Sequence, residues 1–221
     1  MGKIPFEVPS LDALLDGGVE QGAIALLYGE AGSGKTNLCL QLARNVALLG
    51  QKVLLIDTEG VSMERLQQIS GEHYEKVTAS ILLFPAHSFD EQERAIERAT
   101  RLAESELEVG LIIVDSLTLH YRLTSKDEER SGRRSLAPQL AKLLRAARHR
   151  EIPVLVTSQV YMDVERGTVE SLGGHPLQHT AKLIIKLEKV RPGMRRATLM
   201  KHRHRPEGET AAFRITARGM E

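Results

Sequence analysis

The chain has 221 residues, 42% hydrophobic and 27% charged, and its 30 lysines and arginines against 29 aspartates and glutamates leave a formal charge of +1. This length allows one α/β domain with a continuous core, and the near balance of charge excludes a global attraction to nucleic acid, so any polyanion site has to come from local clustering. The lone cysteine, Cys39, excludes an intrachain disulfide and reads as a small core residue in a reducing cytosol; no basic-then-apolar leader and no membrane-length apolar run are present, so a cytoplasmic protein is expected.

Residues 10–15 predict a short helix with Ser10 as N-cap and Gly17-Gly18 as its stop. The apolar run 23–28 is followed by Gly29-Glu30-Ala31-Gly32-Ser33-Gly34-Lys35-Thr36, an uninterrupted G-x-x-x-x-G-K-T that opens a helical pattern. Glycines at these positions let the backbone curl until several N–H groups face one phosphate, and the positive end of the next helix attracts the same charge. Lys35 is expected to reach the β- and γ-phosphates, the Thr36 hydroxyl to ligate magnesium, and Asn37 to complete the nucleotide-binding stretch. A flexible turn would explain Gly-Ser-Gly but not Lys-Thr at that offset before an apolar helix.

The helix over 35–49 places Leu38, Leu42, Val46 and Leu49 on one face and ends at Gly50. Val53-Leu54-Leu55-Ile56 is a continuous apolar run that delivers Asp57-Thr58-Glu59-Gly60, and Ser88-Phe89-Asp90-Glu91 is a capping box for a helix through about Ser105. Leu111-Ile112-Ile113-Val114 ends in Asp115-Ser116; a helix over 136–150 precedes Val154-Leu155-Val156-Thr157, which ends in Ser158-Gln159. Four apolar strands separated by helices indicate a parallel sheet covered on both faces, whose carboxyl ends form the ligand crevice. Residues 161–178, with Gly167, Gly173, Gly174 and Pro176, read as a long irregular functional loop. After it, 182–190 and 196–201 alternate apolar and charged residues around the turn Arg191-Pro192-Gly193-Met194, predicting an antiparallel hairpin with one exposed face.

Binding a triphosphate needs the loop; cleaving it needs a carboxylate for the metal and a group that orients water. Asp115, ending its strand as a Walker B acid does, is the candidate for the magnesium shell, through water, with a helix cap as the alternative. Glu59 is placed to orient a water in line with the γ-phosphate, or else is a surface carboxylate in a turn. Gln159 carries an amide that can donate to a γ-phosphate oxygen and move when it leaves, or else is a polar strand end.

Taken in order, Gly29 to Thr36, Asp57-Thr58-Glu59-Gly60, Asp115-Ser116, Thr157-Ser158-Gln159-Val160 and Leu172-Gly173-Gly174 resemble the motifs of the RecA/RadA recombinase core over nearly the whole chain. His120-Tyr121-Arg122, Arg130-Ser131-Gly132-Arg133 and Arg203-His204-Arg205-Pro206-Glu207-Gly208 resemble a short archaeal paralog branch of that family. The resemblance implies a RecA-like P-loop ATPase core, α/β, as a single domain over 1–221 with a mostly parallel central sheet flanked by helices and a C-terminal antiparallel hairpin. It implies ATP and magnesium as cofactors, Glu59 as the catalytic glutamate beside Lys35, Gln159 as γ-phosphate sensor, and Arg65 against the adenine. It also implies a DNA-associated function in recombination and repair, with single-stranded DNA and a RadA-type recombinase or other repair proteins as partners. The N-terminal helical DNA-binding domain and Phe-x-x-Ala polymerisation motif of full-length RadA-type recombinases are missing from the sequence, so self-association would proceed without that motif. Ser158 stands where Asn is usual.

By the same resemblance, 122–134 corresponds to the first DNA-binding loop, with Arg122, Arg130, Arg133 and Arg134, and 161–178 to the second, with Arg166, Gly173 and Gly174. A basic loop contacts phosphates without reading sequence. Asp127, Glu128 and Glu129 leave a solvated charged loop as the other reading. Lys201 and Arg203 fit the lysine and arginine that touch a neighbouring subunit's nucleotide in related ATPases, or else a charged hairpin edge. A signalling ATPase like KaiC, and an ATP-switched recruiter of repair proteins with negligible turnover, are the competing functions.

Overall fold

The computed structural model describes residues 2–105, 108–122, 135–163 and 168–221. Its elements in chain order are β1 (Lys3–Ile4), α1 (Pro9–Leu14), β2 (Val19–Glu20), β3 (Ile24–Gly29), α2 (Lys35–Leu48), β4 (Lys52–Asp57), α3 (Met63–Ser70), α4 (Tyr74–Ser80) and β5 (Ile81–Pro85). They continue with α5 (Phe89–Ser105), β6 (Val109–Asp115), α6 (Leu119–Arg122), α7 (Ala137–Arg150), β7 (Val154–Ser158), β8 (Val160–Asp163), β9 (Thr168–Ser171) and α8 (Gly174–Thr180). The chain closes with β10 (Leu183–Arg191), β11 (Met194–Lys201), β12 (Thr210–Thr216) and β13 (Gly219–Met220).

Among the described residues the main sheet runs β13-β12-β11-β10-β3-β7-β6-β4-β5. The six strands from β10 to β5 are parallel, and β11, β12 and β13 are antiparallel additions. Two apolar layers explain why the inner strands carry unbroken apolar runs. Ala25, Leu27, Val53, Leu55, Leu111, Ile113 and Leu155 face one core with α1 and α2. Ile24, Leu26, Leu54, Ile56, Ile112, Val114, Val154 and Val156 face the other with α5 and α7. Each strand alternates sides with period 2, and both sides are dry.

The predicted α/β sheet, its four inner strands and the β10–β11 hairpin are all present. Half of the capping box forms as predicted, with Ser88 Oγ accepting from Glu91 N–H at 3.2 Å, while the Glu91 carboxylate reaches one residue further back and accepts from His87 N–H at 2.8 Å. Three expectations are corrected. Ser10 is not an N-cap, because Pro9 already occupies the first turn; Ser10 Oγ donates to the Ala212 carbonyl at 2.9 Å, and Asp12 accepts from Phe6 and Val8 N–H instead. Leu49 is 70% exposed, since α2 stops one residue earlier, whereas Leu38, Leu42 and Val46 are buried. Finally, 161–178 is not irregular throughout: β8 pairs with β9, and α8 starts from Gly173, whose φ of 99° suits a residue without a Cβ.

Candidate functional site

The loop after β3 carries its turn on glycines. Gly32 and Gly34 have φ of 71° and 105°, a region that side chains rarely adopt, and a Cβ on Gly34 would lie 2.3 Å from Met220 Cε. Glu30 and Ala31 sit exposed at the loop's apex, and Ser33 N–H closes the turn on the Glu30 carbonyl at 3.1 Å. Lys35 is buried, and its Nζ donates to the carbonyls of Gly29 at 2.8 Å and Glu30 at 3.0 Å. Burial pushes the Lys35 ammonium below its ordinary pKa, while Glu59 and Asp115 pull it back up.

Three strand tips converge beside this loop. Asp57 and Asp115 are register partners at the ends of β4 and β6. Thr58 locks them together: its N–H donates to the Asp115 carbonyl at 2.9 Å, and its hydroxyl bonds both the N–H and the carbonyl of Ser116. The buried Asp115 carboxylate accepts from the Thr157 hydroxyl, and the Thr36 hydroxyl lies beside it. Burial raises the Asp115 pKa and the two hydroxyls oppose that shift.

Asp57, whose side-chain role sequence reading missed, shapes the turn that carries Glu59. Its carboxylate accepts from the N–H groups of Glu59, Gly60 and Val61 at 3.2, 2.9 and 2.7 Å. The signal was an Asp at a strand end ahead of Gly60, the arrangement of an Asx turn. Asp57→Ala is therefore expected to destabilise the fold by about 2 kcal/mol, by stranding three donors. It should also lower turnover more than nucleotide affinity, as urea unfolding and separate binding and rate measurements would read out.

Glu59 itself meets Gln159: the Gln159 Nε2 donates to Glu59 Oε1 at 3.0 Å, although the two are 100 residues apart. Gln159 N–H donates to Thr118 Oγ1 at 3.2 Å, and Ser158 Oγ donates to the Leu172 carbonyl at 2.8 Å, so the amide sits on a strand end tied to the segment before α8.

These residues fit a magnesium nucleoside triphosphate. The loop glycines leave room for the backbone to wrap, the buried Ser33 Oγ lacks a hydrogen-bond partner among the described residues, and the Thr36 hydroxyl and Asp115 carboxylate are side by side. Among the described residues no group of three His, Cys, Asp or Glu could hold a metal alone, so a magnesium ion there would share its shell with phosphate oxygens and water.

A sequence model of the Rad51 family matches residues 3–221. The chain belongs to the Rad51 family. Similar proteins include the DNA repair and recombination protein RadB of Methanococcoides burtonii, 47% identical over 212 residues that cover 95% of this chain and 93% of that protein. The RadB of Archaeoglobus fulgidus is 42% identical over 220 residues, covering 99% of this chain and 97% of that protein. A crystal structure of the RadB recombinase is 38% identical and covers 98% of each chain with a TM-score of 0.84.

Other residues singled out by the Rad51-family resemblance fall into separate places. Arg65, on α3, bonds Asn37 Oδ1, Gln68 Oε1 at 2.9 Å, and the carbonyls of Thr216 and Ala217, so it joins the first turn of α2 to the β12–β13 turn. Arg122 closes α6, while Arg130, Arg133, Arg134 and Arg166 lie outside the described residues. Gly173 and Gly174, with φ of 99° and 56°, are demanded by the start of α8 whatever else they touch. Lys201 donates to the carbonyls of Gln178 and His179 at 2.8 and 3.3 Å, and Arg203 pairs with Glu20 at 3.2 Å. Lys201 pairs with Ile184, level with Leu26, whereas Gly29 is level with Leu187. That offset puts Lys201 about 10 Å along the sheet from its own phosphate loop. No helix among the described residues is long and apolar enough to cross a membrane.

Proposed function

We propose that this Rad51-family chain is an ATP-binding, weakly hydrolysing, DNA-associated ATPase of cytoplasmic homologous recombination and repair, a paralog or mediator of a RadA-type recombinase that binds single-stranded DNA. The hydrogen bond between Gln159 and Glu59, beside the Lys35 loop and Asp115, carries this reading. The matches to RadB proteins favour recombination over a signalling ATPase.

In this reading Lys35 exchanges the Gly29 and Glu30 carbonyls for phosphate oxygens, and the N–H groups of Gly32, Ser33 and Gly34 supply further donors. Thr36, and Asp115 through water, would hold a magnesium ion, which would supply positive charge to the phosphates. Glu59 orients a water and takes its proton as the water oxygen bonds the γ-phosphorus and the bond to the β-phosphate oxygen breaks, leaving ADP and phosphate. Because Gln159 occupies one Glu59 oxygen, its transfer to a γ-phosphate oxygen frees that carboxylate for water. The same movement pulls on Leu172 through Ser158, which links chemistry to the segment expected to meet DNA.

ATPase rates with and without single-stranded DNA over a salt series test this. The rate should rise with DNA, and the affinity for single-stranded DNA should fall roughly twentyfold over a fourfold rise in salt if about three phosphates are neutralised. No effect of DNA at low salt would refute the DNA-coupled reading and favour a signalling ATPase; salt-sensitive DNA binding with negligible turnover would favour the recruiter.

A further inference from the structure

Beyond the loop's own lysine, the C-terminal hairpin brings two more cations to the same place. Strand β10 runs parallel to β3 with Leu187 level with Gly29, so the chain two residues further on reaches over the phosphate loop. There the Lys189 ammonium lies 3.1 Å from the point where a Cβ on Gly32 would stand, so the side chain reaches the apex of the loop. Directly across the hairpin, Arg195 is the register partner of Lys189, and its guanidinium donates to the Gly32 carbonyl at 3.0 Å. The Arg195 Nε is buried and has no hydrogen-bond partner among the described residues.

Two like charges directly opposite one another on a hairpin are unfavourable unless something compensates. Lys186, further down β10, has Glu188 at 3.0 Å. Lys189 and Arg195 form no ion pair with a carboxylate among the described residues; what they face is a loop built to hold an anion. A polyphosphate in the loop would relieve this crowding.

We infer that Lys189 and Arg195 form a second cationic wall of the nucleotide site, selecting di- and triphosphates: Lys189 adds charge toward the β- and γ-phosphates, and Arg195 holds the Gly32 carbonyl outward so that the loop's N–H groups turn in. This rests on the reading of the loop as an ATP site. Neither residue belongs to the G-x-x-x-x-G-K-T stretch, and both come from a strand pair far along the chain.

Titrating the full chain with ATP, ADP and AMP by calorimetry, in the presence of magnesium, tests it. Lys189→Met should weaken ATP and ADP roughly tenfold and AMP less than threefold, as expected for a lost charge at the outer phosphates. Lys189→Arg should restore ATP affinity to within about threefold of the wild type. Arg195→Met should show a smaller loss of the same kind, by releasing the Gly32 carbonyl. Lys189 is exposed and opposite the like-charged Arg195, so thermal unfolding of the ligand-free variant serves as the folding control and should not fall. An ATP loss under threefold in Lys189→Met, an equal loss for AMP, or no recovery in Lys189→Arg overturns the inference, with Lys35→Ala as the reference that ATP binds the loop at all. Wild-type protein that fails to bind ATP, or a Lys35→Ala variant that binds it normally, would instead defeat the underlying assignment of the loop.

Discussion

Lys35→Ala is expected to abolish tight ATP binding while leaving the fold nearly as stable as before. The lysine is buried at the start of α2, and its ammonium is held by two backbone carbonyls of the loop it serves. The buried Gly29 carbonyl loses its donor, but truncation also removes an ammonium held out of water, so the ligand-free protein loses little. The nucleotide loses more: two charge-assisted hydrogen bonds of roughly 1.5 to 3 kcal/mol each vanish, and the remaining phosphate charge faces Glu59 and Asp115 with less compensation. A net loss of about 4 kcal/mol corresponds to an affinity lower by roughly a thousandfold. Melting curves with and without Mg-ATP read this directly, because a ligand that binds only the native state raises the transition by mass action. The wild type should shift upward and the variant should not. An ATP-dependent shift preserved in Lys35→Ala would mean that the loop does not hold the phosphates.

Much of the scaffold was legible because the inner strands repeat one physical signal. Runs such as Leu111-Ile112-Ile113-Val114 are apolar on both faces, which only a sheet covered twice can tolerate, and the glycine-rich loop marks which strand end is the crevice. Edge elements gave weaker signals. Strand β5 lies at the sheet margin with Leu83 47% exposed, so its pattern does not separate it from a loop. Segment 161–178 misled because its glycines were read as disorder of form, whereas Gly173 and Gly174 make the tight entry to α8. Long-range contacts were illegible in principle: nothing local in Gln159 points to Glu59, and nothing in Lys189 points to Gly32. Ser10 shows the same limit on a small scale, since its hydroxyl is claimed by Ala212 rather than by the helix it starts.

Glu59→Gln is expected to keep ATP binding within about threefold of the wild type and to lower the hydrolysis rate by two to four orders of magnitude, roughly the contribution of a positioned general base. The substitution keeps side-chain length and the oxygen that Gln159 reaches at 3.0 Å, so the link between the two strand ends can persist. The turn that carries residue 59 is held through its backbone N–H by Asp57, not through the side chain, and Glu59 is exposed; the fold therefore has no reason to change. What disappears is the carboxylate charge that accepts a proton from water, and a neutral amide cannot replace it. Removing Gln159 instead, as Gln159→Ala, separates the two roles: Glu59 keeps both oxygens free, so basal turnover should fall less than in Glu59→Gln, whereas stimulation by DNA should be lost, because the amide that connects Glu59 to the strand end held by Ser158 and Leu172 is gone. Single-turnover phosphate release, measured beside equilibrium ATP binding for both variants, distinguishes the roles. Hydrolysis unchanged in Glu59→Gln would move the water-orienting function to another group, and DNA stimulation intact in Gln159→Ala would show that the two strand ends do not communicate through this amide.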